Sequence, residues 1–310
     1  MHSTRRITAT LAVLLSITAI ASAQAPAKPL PAGILVDAHP AMWKLTGAKG
    51  TTIYVLGTVH VMRKEVVWET PKIKDALKSS SALYLEVADI DDAGIKAMQP
   101  MVIKLGMDQE HPLSTKISKE DFQLLDTAAK GLGAPGEQAF DPMQPWLVYM
   151  TLSAIPAMQA GYDPNSGIDK ILQAEAKSAN KPVRGFETAE DQLHFMAGFP
   201  TDLQVKLLHQ TLVDLPESVK RMDEIVDDWT QGEVEKIGTA ENDEFKTKYP
   251  DLYETLLVKR NRAFTDSLAT LLKDPATGTI FVAMGAAHFA GDDSVLKMLA
   301  TKGFSSTRIQ

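Results

Sequence analysis

Short apolar runs rich in β-branched and aromatic residues stand near both ends of this chain, with long helical patterns between them. Thr51-Thr52-Ile53-Tyr54-Val55-Leu56 reads as a buried strand that Gly57 ends. Pro71–Lys78 reads as part of a helix and Ala82-Leu83-Tyr84-Leu85-Glu86-Val87 as a second strand. Strand, helix, strand at this spacing predicts a βαβ unit with a parallel pair. A further strand, Lys181-Pro182-Val183-Arg184-Gly185-Phe186, follows a helix over Ile168–Ala179, and Thr188-Ala189-Glu190-Asp191 has the form of a capping box. The last strand is Thr279–Met284, and a closing helix runs from about Asp293 to Thr301. Residues 91–180 and 201–273 are mostly helical in pattern, with turns at 131–136 and 163–165 and breaks near Gly232, Gly238 and Pro250. The expected architecture is α/β: a central sheet with βαβ units at both ends of the chain and a large helical insertion, within one domain over residues 41–310.

The N-terminus changes how much chain there is to explain. Arg5 and Arg6 precede an uncharged apolar stretch from Ile7 to about Ile20, and Ala21-Ser22-Ala23 follows. This is the order of a secretory signal, with cleavage expected after Ala23 and residues 1–23 removed. The apolar stretch is short for a membrane span, which needs about 20 residues. Residues 24–40, rich in proline and alanine, read as an extended lead-in. The expected product is exported, periplasmic or secreted, with no membrane span in its mature part. A net charge of −7 argues against a nucleic-acid partner, because a phosphate backbone demands a basic surface. The chain has no cysteine, which excludes disulfides, thiolate nucleophiles and cysteine-ligated zinc. Any metal must take histidine, carboxylate, amide or water ligands.

The first and last strands carry matching segments. Gly50-Thr51 and, five residues on, Gly57-Thr58-Val59-His60 correspond to Gly278-Thr279 and Gly285-Ala286-Ala287-His288. Each strand ends in glycine and delivers a histidine three residues later. In an open α/β sheet the carboxyl ends of the parallel strands form the ligand crevice, and glycine there permits a turn or a close approach. Glu86 lies near the end of the second strand among apolar neighbours, where a carboxylate is costly unless paired or metal-bound. His60, His288 and Glu86 are therefore candidate ligands of one catalytic divalent metal, with Gly57 and Gly285 supporting them.

These segments, with Gly167-Ile168-Asp169, Gly185-Phe186-Glu187-Thr188, Gln192, Arg260-Asn261 and the lead-in His39-Pro40-Ala41-Met42-Trp43-Lys44, resemble in order and spacing the TraB/PrgY/GumN family, which is related to the Tiki metalloproteases. The resemblance covers about residues 38–308. It implies a fold related to the erythromycin-esterase and ChaN-like group and metal-dependent hydrolysis, in Tiki proteins peptide cleavage with manganese or cobalt. Zinc also suits the donor types. The substrate would be a peptide or other small molecule. Glu86 would be a ligand or the base that takes a proton from metal-bound water. Arg260 would hold a substrate carboxylate or an oxyanion. Asn261 would bond a ligand or cap a helix, Glu187 would point into the crevice or stabilise the first turn of a helix, and Asp169 would support the site from behind.

Other patterns carry less. Residues 131–136 match Gly-x-Gly-x-x-Gly, but a helical pattern precedes them, so they read as a helix end and turn. His111, His194 and His209 lack partners at ligand spacing. The pairs Asp91-Asp92, Asp227-Asp228 and Asp292-Asp293 read as solvated turns.

Overall fold

The structure, a computed structural model, describes residues 36–310, save the side chains of Val36 and of residues 239–245. The expected signal segment and most of the lead-in lie outside the described residues. In chain order the elements are β1 (Val36–Asp37), β2 (Met42–Thr46), β3 (Thr52–Thr58), β4 (Val66–Val67), α1 (Pro71–Ser79), β5 (Leu83–Val87), α2 (Asp92–Gly106), α3 (Lys119–Gly131), α4 (Pro145–Gln159), α5 (Ile168–Ser178), β6 (Val183–Glu187), α6 (Ala189–Ala197), α7 (Thr201–Asp214), α8 (Ser218–Thr230), α9 (Val234–Lys248), α10 (Pro250–Tyr253), α11 (Lys259–Lys273), β7 (Thr279–Gly285), α12 (Val295–Thr301) and β8 (Ser306–Arg308). A π-helical turn, Glu254–Val258, joins α10 to α11.

The described chain forms two compact units. One is helical and comprises Asp89–Tyr162 and Ala189–Met222. In it α4, apolar around most of its circumference, packs on α7, and the buried Gln204 ties the helix turns together through Phe199 O and Trp146 N–H. The other unit holds the sheet and takes residues 36–88, Asp163–Thr188 and Asp223–Gln310. Helices α9 to α11, expected within the helical insertion, belong to this sheet unit. No break occurs at Gly238: α9 runs through it, at a cost of about 1 kcal/mol that its neighbours offset. Gly232 does end α8, with φ +71.

The sheet has six strands in the order β6-β5-β7-β3-β2-β8. β6, β5, β7 and β3 are parallel, and β2 pairs antiparallel with β3 and with β8. The strands β3 and β5, expected as neighbours in a βαβ unit, are parallel but not adjacent, because β7 lies between them. Along each strand successive side chains face opposite sides. Ile53, Val55, Ile280, Val282 and Met284 pack under Phe264, Leu268, Ala269 and Leu272 of α11. The alternate positions Leu83, Leu85, Phe281 and Ala283 are equally buried, with α1 against β7 and α5 against β5 and β6. Both faces are thus covered, as a parallel sheet requires, and only the strand ends remain to meet a ligand.

Candidate active site

Four adjacent strand ends contribute to one cluster, and the order of residues follows the order of strands. Glu187 ends β6, Glu86 stands one residue before the end of β5, Gly285 ends β7 with His288 beyond it, and His60 lies two residues past β3. The matching Gly-x-x-His segments sit on neighbouring strands, but β3 and β7 pair Thr58 with Gly285 and Gly57 with Met284. The copies are offset by one residue, so Gly57 and Gly285 face opposite sides of the sheet. Gly57 is packed against Ala286, and its carbonyl accepts a 2.8 Å hydrogen bond from the Trp229 indole N–H; it supports the backbone, away from the cluster. Gly285 faces the cluster. A methyl group there would stand 3.1 Å from Glu86 Oε1, 3.6 Å from His60 Nε2 and 3.7 Å from the His288 ring. His60, Glu86 and His288 therefore converge on Gly285.

Both imidazoles are oriented from behind. Asp169, at the start of α5, accepts from His60 Nδ1 at 2.8 Å and from the Thr58 hydroxyl at 2.8 Å. Gly167 lets α5 come this close: a β-carbon there would overlap the His60 carbonyl. Asn261 Nδ2 donates to the Asp293 carbonyl at 2.7 Å, so its Oδ1 faces His288 Nδ1, 2.5 Å away, and Nδ1 carries the proton. In each ring Nε2 is left facing the cluster, the arrangement that orients a metal-binding histidine. His288 Nε2 lies 3.5 Å from Glu86 Oε2. A ring nitrogen and a carboxylate oxygen so placed can share a positive charge between them.

Glu86 is buried, and both of its oxygens have donors. Oε1 accepts from the Gly285 backbone N–H and Oε2 from Arg260 Nη2, each at 2.5 Å. Arg260 also grips Glu187 through Nε and Nη2 at 2.8 Å each, and gives Nη1 to the Leu256 carbonyl at 3.3 Å. Its guanidinium stacks 5.3 Å from the Phe264 ring, which also meets the His288 ring edge-on at 5.2 Å. Two protein carboxylates thus occupy the guanidinium expected to hold a substrate carboxylate or oxyanion. Asn261 neither caps a helix nor faces outward; it fixes His288. Glu187 points to Arg260.

The charges explain the titration behaviour. Burial opposes the charge of Glu86, but His288 and Arg260 outweigh it and hold the carboxyl well below its usual range. Burial likewise opposes the Arg260 charge, and Glu86 and Glu187 overcome it, raising its pKa. For His60, burial lowers the pKa, yet Asp169, by charge and hydrogen bond, with help from Glu86, raises it from 6.5 to about 9. A folded-state pKa above the unfolded value stabilises the protein fully below 6.5 and progressively less as pH rises through 9. The melting temperature of cation-free protein is expected to fall across that interval. His60→Gln should flatten the fall; an unchanged slope would refute this origin.

Among the described residues no group of three or more histidine, aspartate or glutamate side chains is placed so that it could hold a metal ion as it stands; His60, Glu86 and His288 supply suitable donor types around Gly285. The sequence pattern did not reveal Thr58, Trp229, the Asp293 carbonyl or the π-helical turn, because each acts through a long-range contact. Acidic residues read as solvated turns have partners: Asp91 caps α2, Asp293 accepts from Tyr253 Oη and Lys246 Nζ at 3.1 and 3.2 Å, and Asp292 and Asp227 accept from Lys297 Nζ and Gln231 Nε2 at 2.9 Å each. His209 pairs with Asp121 in the helical unit.

The TraB/PrgY/gumN family model matches residues 41–308. The uncharacterized protein YbaP of Escherichia coli K12 is 25% identical over 251 residues, covering 79% of this chain and 87% of that protein. An uncharacterized protein of Treponema pallidum is 23% identical over 272 residues, 83% of this chain and 79% of its own length. Metalloprotease TIKI1 of Danio rerio is 24% identical over 298 residues, 81% of this chain and 60% of that protein. No solved structure matches the chain. None of the described helices is long and apolar enough to cross a membrane.

Proposed function

Since this chain belongs to the TraB/PrgY/gumN family, we propose that it is an exported hydrolase that cleaves peptides with a divalent cation held by His60, His288 and Glu86. The observation that carries this reading is a charge imbalance. Glu86, Asp169 and Glu187, all largely buried, face one permanent cation, Arg260. That deficit of two positive charges is met either by protons on the histidines or by one divalent ion. The donor types fit manganese, cobalt or zinc, and both Nε2 atoms are prepared for a ligand role. The name of the fish relative, a metalloprotease, supports the same reaction class. The further kinship to erythromycin-esterase and ChaN-like folds is part of this proposal.

When bound, such a cation supplies a water of pKa near 7 and polarises the substrate carbonyl. The chain's own residues do the rest. Asp169 and Asn261 keep both rings in the tautomer that presents Nε2. Glu86, held ionised by its donors, suits a ligand better than a general base tuned near neutral pH. Gly285 leaves the space in front of these groups open.

The test is a peptide library offered to cation-stripped protein. Cleavage is expected on adding Mn2+, Co2+ or Zn2+, and to be abolished by a chelator, by His60→Ala and by Glu86→Ala but not by His209→Ala. Saturable peptide binding without any product would sink the enzymatic reading and leave a binding protein.

A further inference from the structure

Arg260 divides its guanidinium unequally between its two carboxylates. Glu187 receives the Nε and Nη2 edge as a bidentate pair, both bonds at 2.8 Å. Glu86 receives only one bond, from Nη2 at 2.5 Å. The bidentate edge is the one that best matches a carboxylate in geometry and energy. Glu187 is held in place for this pairing: it ends β6, directly opposite Val87 of the neighbouring β5, and its side chain is 14% exposed. The third side of the guanidinium is fixed by the Leu256 carbonyl of the π-helical turn, a helix irregularity of the kind that gathers at functional sites. Without Glu187, the Nε and Nη2 edge would have one buried carboxylate left to satisfy, Glu86. The guanidinium would turn onto it and occupy the lone pairs that face the two histidines.

We propose that Glu187 is a positioning residue: by holding the bidentate edge of Arg260, it limits that guanidinium to one bond on Glu86 and leaves the carboxylate open to a cation shared with His60 and His288. This rests on the cation reading above. The role differs from merely adding negative charge, because it depends on the reach of the side chain as well as its sign.

The experiment is calorimetric titration of the whole, cation-stripped protein with Mn2+. Glu187→Gln is expected to weaken binding roughly 10- to 100-fold, the usual cost of losing a group that orients a ligand. Glu187→Asp keeps the charge but withdraws the carboxylate by one methylene, so the bidentate pair breaks and affinity falls in the same direction. The melting temperature of cation-free Glu187→Asp should change little, which separates positioning from a general loss of structure. Wild-type affinity in Glu187→Asp alongside weak binding in Glu187→Gln would assign the effect to charge and overturn the proposal. Equal affinity in all three proteins would overturn it and leave the cation reading standing. No Mn2+ binding by the wild type would overturn both. If Glu187→Gln does not fold, Glu187→Asp decides alone.

Discussion

Arg260→Met is expected to cost the folded protein about 3–5 kcal/mol, the penalty for removing one partner of a buried ionic cluster. The guanidinium is 8% exposed and bonds Glu86 and Glu187, which are 9% and 14% exposed. Methionine fills part of the volume and keeps a contact with Phe264, so the loss falls on the charges. Two carboxylates would remain side by side in a poorly solvated place, with His288 and His60 as their nearby compensation. The loss should also depend on pH. Glu86 is held well below its ordinary value of 4.5, so its stabilising contribution is full above that value and fades as the solution is acidified. The gap between wild type and variant in urea midpoint should therefore be widest near neutrality and close in acid. A gap independent of pH would mean that Arg260 acts by packing alone.

Gly285→Ala is expected to do the opposite, sparing the fold and removing the activity. The backbone at Gly285 has φ −50 and ψ 134, which any residue adopts, and nothing about the turn demands glycine. The added methyl, however, would press on Glu86 Oε1 at 3.1 Å and approach His60 Nε2 at 3.6 Å. Glu86 cannot retreat freely, since Arg260 and the Gly285 N–H hold its two oxygens. A displacement of the reacting groups by about 1 Å typically costs about 100-fold in rate. We expect a fall of that order in kcat/KM on a cleaved peptide, with the melting temperature nearly unchanged. Wild-type turnover in this variant would show that the reacting groups lie elsewhere than in front of Gly285.

The strands that carry the site were legible because they are short apolar runs, and their carboxyl ends were legible as the place to look. That His60, Glu86 and His288 meet could be anticipated from their positions past or near strand ends. What they do to one another could not. The one-residue offset between β3 and β7 depends on register, which identical Gly-x-x-His spacings conceal, and it separates Gly57, which packs on Ala286, from Gly285, which borders His60, Glu86 and His288. The partners of Arg260 lie 73 and 174 residues away in sequence, so nothing local distinguishes a paired guanidinium from one awaiting substrate. Strand β2 was hidden inside the lead-in motif Met42-Trp43-Lys44, and β8, three exposed polar residues, has no apolar signature at all.

The central place of β7 has a consequence for how the protein comes into being. Its neighbours β5 and β3 precede it by far in the chain, and neither bonds to the other; the β6-β5 and β3-β2 pairs are joined only by Thr279–Gly285. Pairings between such distant segments form late and slowly in folding. His288 arrives on the same stretch of chain, three residues after the strand. The segment that knits the sheet together also delivers the second imidazole, so a chain lacking it has neither a joined sheet nor the full cluster of His60, Glu86 and His288. On the hydrolytic reading proposed above, the protein would stay inert until that segment has been made.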